Sequence, residues 1–160
     1  MDEGYSPLSV VLFLVFIGLE AAFYGLGSAI QNVSETDLEK DAETGNKKAA
    51  WLLKVMEQPK YFVYSLQAVT NAIGLVLGSY VLRSWGFCLG TWITNLSGWT
   101  VQTGRVLGLI AAAVVILVAL ISFGIVIPKR CGAKKPLYWC YRLMPLVSVV
   151  MIPVFPFIAV

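Results

Sequence analysis

The residues of this chain that could do chemistry are few, and they lie inside apolar stretches. Glu20 is the only acidic residue within an apolar run, and no Asp or Glu follows Glu57. An ionised side chain in the middle of a membrane helix costs roughly 2.5–3.5 kcal/mol on insertion scales, so such a residue marks a functional site by default. A second set is Gln67, Thr70 and Asn71, with Gly74 and Gly78 beyond them, spaced 3, 1, 3 and 4 so that they share one face of a helix. Two amides and a hydroxyl in hydrocarbon must face protein or water, because unpaired polar groups there are costly. Two readings stay open for this face. It is packing glue, with Gly74-x-x-x-Gly78 admitting another backbone closely, or it is an ion path of neutral oxygens completed by Glu20.

These residues need elements to hold them. The chain is 58% hydrophobic and 13% charged, with mean hydropathy +0.78, against about 25% charged residues in ordinary soluble domains. Residues 7–30 are free of charge except at Glu20, and residues 61–82 and 106–128 carry none. Each run exceeds the roughly 20 residues that cross a bilayer as a helix. The reading is an all-α membrane protein with three transmembrane helices in one domain over 1–160, and the lipid bilayer as its surroundings. The N-terminus is not a secretory signal, because Asp2 and Glu3 stand where a basic region would be.

The basic residues orient the spans. Lys40, Lys47, Lys48, Lys54 and Lys60 separate the first two, and Lys129, Arg130, Lys134, Lys135 and Arg142 follow the third. The other side has only Arg83 and Arg105, each at a span end. The positive-inside rule therefore puts the N-terminus outside and the C-terminus in the cytoplasm of a plasma or inner membrane. Within the first loop, residues 34–58 predict a cytoplasmic helical hairpin or belt. Ser34 with Asp37 resembles a capping arrangement, Thr44-Gly45-Asn46 breaks the first helix, and Asn46 caps the second. Pro145, Pro153 and Pro156 predict a broken, membrane-associated helix over 137–160, because proline removes a backbone donor.

Several classes drop out. With no His, most hydrolytic triads and zinc sites have no ligand or base, so an enzyme is not expected. Nothing reads as a phosphate-binding glycine loop, and the basic residues sit between spans, not on a nucleic-acid face. Cys88, Cys131 and Cys140 fit no metal or redox spacing and read as free thiols. Asn95-Leu96-Ser97 is a glycosylation sequon on the outer side, meaningful only in a eukaryotic secretory pathway.

The order of short motifs adds a resemblance. Gly18-Leu19-Glu20-Ala21-Ala22, then Asp41-Ala42-Glu43-Thr44-Gly45-Asn46-Lys47-Lys48-Ala49, then Glu57-Gln58-Pro59, and finally Phe123-Gly124-Ile125-Val126-Ile127-Pro128-Lys129 follow one another around the three spans. Together, over about residues 10–158, they resemble the transmembrane domain of the cyclin M and CorC magnesium-efflux family, with Gly124, Pro128 and Lys129 in its closing motif. The resemblance implies a homodimer, a cytoplasmic helical belt, and regulatory CBS modules past Val160, where the chain looks truncated. It also implies Mg2+ as the transported ion. In that family the ion is held by a Ser before the first-span Glu, by Asn residues of a Gly-Asn-Thr-x-x-Asn run in span two, and by a Glu before Pro-Lys. Here the Ser position is Leu19, the Asn positions are Thr70 and Gly74, and the Glu position is Ile125. Glu20 is retained, and Asn71 stands one residue out of register.

Magnesium demands close to six hard oxygens in octahedral geometry, and Leu, Gly and Ile side chains offer none. Glu20, Gln67, Thr70 and Asn71 are thus the candidate ion path, with weak or no magnesium binding expected. Glu20 is expected to pair with a cation such as Lys129 or to be protonated. The competing reading is a non-transporting scaffold or anchor for cytoplasmic modules.

Overall fold

A computed structural model describes residues 7–98 and 100–158, with side chains as far as residue 152. The helices are α1 (Pro7–Asn32), α2 (Glu35–Glu43), α3 (Lys47–Glu57), α4 (Pro59–Val76), α5 (Leu82–Ser97), α6 (Val101–Ala119), α7 (Ile127–Lys134) and α8 (Pro136–Ile158). Two π-helical turns, Leu77–Val81 and Leu120–Val126, join α4 to α5 and α6 to α7 without a break. Among the described residues, three continuous helices are long and apolar enough to cross a membrane: Pro7–Asn32, Pro59–Ser97 and Val101–Lys134. The all-α membrane architecture with three spans is therefore present.

The second and third spans are longer than their charge-free cores. The 39 residues of Pro59–Ser97 measure about 58 Å at 1.5 Å per residue, nearly twice a hydrocarbon core. Residues 83–97, which lie between the charge-free runs 61–82 and 106–128, belong to the helix α5. A lone Arg83 does not stop a helix; the stop comes at Gly98, left-handed at φ 65°, whose N–H bonds the Thr94 carbonyl at 3.0 Å. Two residues on, Thr100 caps α6 by accepting from the Thr103 N–H at 3.4 Å.

The described residues form two compact units. One holds those up to Gly18 with Ala72–Ser122; the other holds Leu19–Asn71 with those from Phe123 on. In the first unit, α5 and α6 pack backbone to backbone. Gly86 and Gly90 on α5, and Gly104, Gly108, Ala112 and Ile116 on α6, recur every fourth residue and are buried. A Cβ at Gly108 would lie 2.5 Å from the Gly86 carbonyl oxygen, and one at Gly90 would lie 3.0 Å from Arg105 Cα. The first is closer than a side-chain carbon can stand, and the second is tighter than nearly all side-chain contacts. The start of α1 is tied in by Trp85, whose indole donates to the fully buried Ser9 hydroxyl at 3.1 Å. The Trp85 ring also meets Phe13 edge-on at 4.9 Å.

The second unit is held by side chains. Phe23 packs on Phe62 at 6.1 Å between centroids, and Ser28 donates to the Lys129 carbonyl at 2.8 Å. The helical hairpin of α2 and α3 forms as expected around fully buried Leu38, Ala49 and Leu52. Gly45 makes its turn at φ 89°, a conformation that costs other L-residues strain. Asn46 accepts from the Lys48 N–H at 3.1 Å as the cap of α3. Ser34 does precede α2, but its side chain makes no capping bond.

The hairpin meets α8 through Tyr141, whose hydroxyl donates to Asp41, while Lys48 Nζ donates to the Tyr141 carbonyl at 3.5 Å. The break expected at the prolines is absent, for α8 runs as one helix through Pro145, Pro153 and Pro156. In an apolar setting the chain gains more by keeping the remaining helical bonds than by exposing backbone around each proline. The last two residues of the expected 137–160 segment lie outside the described residues.

Candidate functional site

Glu20 sits on the inward stripe of α1. Ala22, Phe23, Leu26 and Ala29 on the same helix are buried, and Glu20 itself is 6% exposed. What makes room for its carboxylate is Gly124, inside the π-helical turn Leu120–Val126. A Cβ at that position would lie 2.8 Å from Glu20 Oε2 and 3.4 Å from Glu20 Cβ. Any side chain larger than hydrogen at residue 124 would push the carboxylate away. Such π-turns interrupt the regular hydrogen-bond ladder and recur at functional sites.

No ion pair joins Glu20 to Lys129 among the described residues. The Lys129 ammonium lies instead over the Tyr24 ring, 5.3 Å from its centroid. Of the two states expected for Glu20, pairing with this lysine is thus not the one adopted.

The polar set of α4 does not stay together. Phe62, Ser65, Val69 and Ile73, spaced 3, 4 and 4, form its buried stripe. Thr70 borders that stripe; its Oγ1 is buried and has no hydrogen-bond partner. Gln67, Asn71, Gly74 and Gly78 are exposed on the other side, and neither glycine has any atom within 4 Å of where a Cβ would stand. The shared face read from spacing is therefore split: Thr70 turns toward the protein and the two amides turn away. Ser65, which carries no sequence signal of its own, is 2% exposed and satisfies its hydroxyl on the Tyr61 carbonyl at 2.9 Å.

The donor set is thin. Among the described residues no group of three or more His, Cys, Asp or Glu side chains could hold a metal ion. Leu19 and Ile125, the half-buried neighbours of Glu20 and Gly124 in sequence, bring no oxygen. Side chains supply one carboxylate and, on α4, one unsatisfied hydroxyl. Against the roughly six oxygens that a magnesium ion takes, these side chains are few.

Gly124, Pro128 and Lys129 all lie along the path from the last π-turn into α7. A Cβ at Gly25 of α1 would come within 3.5 Å of Pro128 Cβ and 3.1 Å of Leu143 Cδ1, so Pro128 packs directly on the α1 backbone. The glycine ladder of α5 and α6 was not singled out by sequence reasoning. Its signal was the four-residue recurrence of small residues on both sides of Gly98.

Comparison with known families gives one match: the description cyclin M transmembrane N-terminal domain, over residues 11–160. No curated protein and no solved structure matches the chain significantly.

Proposed function

The chain belongs to the cyclin M transmembrane family, and from that premise we propose that it is an ion-transport domain whose one anionic ligand is Glu20. The observation that supports this is a carboxylate 6% exposed in mid-span, seated against a glycine that keeps space for it. A carboxylate retained there at the cost of several kcal/mol is hard to account for as packing. With no side-chain oxygen at residues 19, 74 and 125, the site suits a proton or a loosely held cation better than dehydrated Mg2+. Magnesium export of the family type would need main-chain carbonyls or retained water to supply the missing ligands.

The test is ion flux in proteoliposomes, wild type against Glu20→Gln, with calorimetry for Mg2+. We expect an ion current or pH change that Glu20→Gln abolishes, and a magnesium dissociation constant weaker than about 1 mM. Sub-millimolar Mg2+ binding lost in Glu20→Gln would overturn the altered-site reading. The absence of any Glu20-dependent flux would favour a membrane scaffold or anchor for cytoplasmic CBS modules, a reading supported by the exposure of Gln67 and Asn71.

Two further parts belong to this proposal. Exposed amides at Gln67 and Asn71, with open Gly74 and Gly78, form a lipid-averse face of α4, and a second copy of the chain is the cover we assign to it. The positive-inside count supports an N-terminus outside and a C-terminus in the cytoplasm. In intact cells an impermeant thiol reagent should then label Cys88 and spare Cys131, and the reverse labelling would invert the orientation.

A further inference from the structure

A cavity of about 390 Å³ opens in the second unit, and none of Glu20, Gln67, Thr70 and Asn71 lines it. It is bounded by the last turns of α1, the end of α3, the first turns of α4 and Lys129 of α7. Its volume falls within the roughly 300–1,000 Å³ of ligand cavities. Most of its wall is apolar, with Phe23, Met56, Phe62 and Leu66 among its lining. Ser28, Gln31 and Lys129 are polar residues of the lining, and Ser28 donates to the Lys129 carbonyl at 2.8 Å.

The charge of this wall is one-sided. Lys129 is its only charged residue, and no carboxylate lines it. The ammonium rests over the Tyr24 ring at 5.3 Å; a ring face attracts a cation without neutralising it. Lys54, Lys60 and Arg130, all exposed, carry further positive charge on the same helix ends, against Glu57, which does not line the cavity. A cation entering here would meet repulsion. An apolar solute without charge would leave Lys129 facing hydrocarbon.

Position narrows the occupant. The cavity lies where α1 ends and the Pro59–Ser97 helix begins; the end of a membrane-crossing helix that carries Lys and Arg belongs at headgroup depth. An apolar wall of this size, continued by a single cation and two neutral polar side chains at headgroup depth, matches one acyl chain joined to an anionic phosphate. We propose that this cavity is a binding site for an anionic phospholipid, with an acyl chain along Phe23, Phe62 and Leu66 and the phosphate on Lys129. Lipids whose headgroup carries its own cation lose part of the benefit, because that cation already satisfies the phosphate. Each basic residue near an anionic headgroup is worth about a fivefold preference.

Native mass spectrometry of the full chain, released from detergent after titration with phosphatidylglycerol, phosphatidylcholine or oleate, tests this. Wild type should retain one phosphatidylglycerol per chain with about fivefold preference over phosphatidylcholine. Lys129→Gln should erase the preference, Leu66→Trp should fill the cavity and remove retention of both lipids, and Lys134→Gln, outside the cavity, should change neither. Equal retention of the two phospholipids by wild type would overturn the proposal without any variant. So would a Lys129→Gln chain that keeps the wild-type preference, a folded Leu66→Trp chain that keeps the lipid, or retention of oleate with phosphatidylglycerol excluded.

Discussion

The two units of this chain solve the same packing problem in opposite ways. Between α5 and α6 the solution is subtraction: Gly86, Gly90, Gly104 and Gly108 remove side chains until the backbones touch. In the unit containing Glu20 it is insertion, with Phe23 on Phe62, Leu38 on the hairpin core, and Tyr141 reaching Asp41. In lipid no hydrophobic gain separates apolar surfaces from solvent, so close backbone approach is one of the few sources of helix association. The insertion-built unit carries the charged hairpin of α2 and α3, and there side-chain hydrogen bonds and the Asn46 cap contribute. The difference teaches where a mutation will be felt: as overlap in the first unit, as a lost partner in the second.

The strongest break of that contrast is Gly108→Leu. The Gly86 carbonyl and the Gly90 backbone have no flexible end that can yield, so α5 and α6 must separate. Overpacking typically costs about 1–3 kcal/mol and sometimes more, and main-chain overlap lies at the upper end. We expect a large loss of folded yield and a clearly lowered Tm in detergent. A wild-type Tm for Gly108→Leu would mean that the two helices do not touch along the ladder.

A smaller effect is expected on the other side of the comparison. Tyr141→Phe removes one hydrogen bond to a half-exposed carboxylate, worth about 1 kcal/mol. The Tyr141 hydroxyl is pushed up to about 12, chiefly by removal from water and then by its bond to Asp41 and that carboxylate's charge. A folded-state pKa above the unfolded value of about 10 means that the folded state holds the proton more tightly. The contribution is therefore complete below about pH 10 and is lost as the pH rises toward 12. Chemical-denaturation curves of wild type and Tyr141→Phe should differ at pH 8 and converge near pH 12. A constant gap across that range would show that the hydroxyl contributes through shape alone.

How much of this was legible in the residues depends on what stopped or tilted each helix. The first span and the Glu20 site follow from one charge in an apolar run, and the hairpin follows from Gly45 and Asn46, whose chemistry is local. The end of the second span was hidden because Arg83 resembles a boundary, whereas the actual stop is the left-handed Gly98 and the Thr100 cap. With Arg83 taken as the boundary, the repeat of Gly86 and Gly90 has no helix to belong to. The polar face of α4 shows another limit. Spacings of 3 and 4 place residues on one broad arc, but only the neighbouring stripe of Phe62, Ser65 and Val69 decides which edge of that arc turns inward. The α8 prolines were read through soluble-protein costs, which an apolar setting reverses. Gly124 could be seen as part of a motif, but that its missing Cβ makes room for the Glu20 carboxylate required the third dimension.

The smallest expected effect sharpens the comparison most. Gly74 and Gly78 repeat the spacing of the α5–α6 ladder, yet no atom stands within 4 Å of a Cβ at either position. If the spacing alone carried energy, Gly74→Leu would match Gly108→Leu. The open surroundings say otherwise: within one chain, Gly74→Leu should stay inside the roughly ±0.5 kcal/mol of ordinary surface changes. Its effect should appear only between copies, because a leucine would hold a second backbone away from Gln67 and Asn71. Unfolding of dilute protein in detergent should therefore be unchanged, while crosslinking at higher protein-to-detergent ratio should yield fewer dimers than wild type, with Leu75→Ala as the control that changes neither. A fall in single-chain stability would place an unseen intrachain contact on this face. Unchanged crosslinking would remove the second copy as its cover, leaving two exposed amides in a span whose partner must then be another protein.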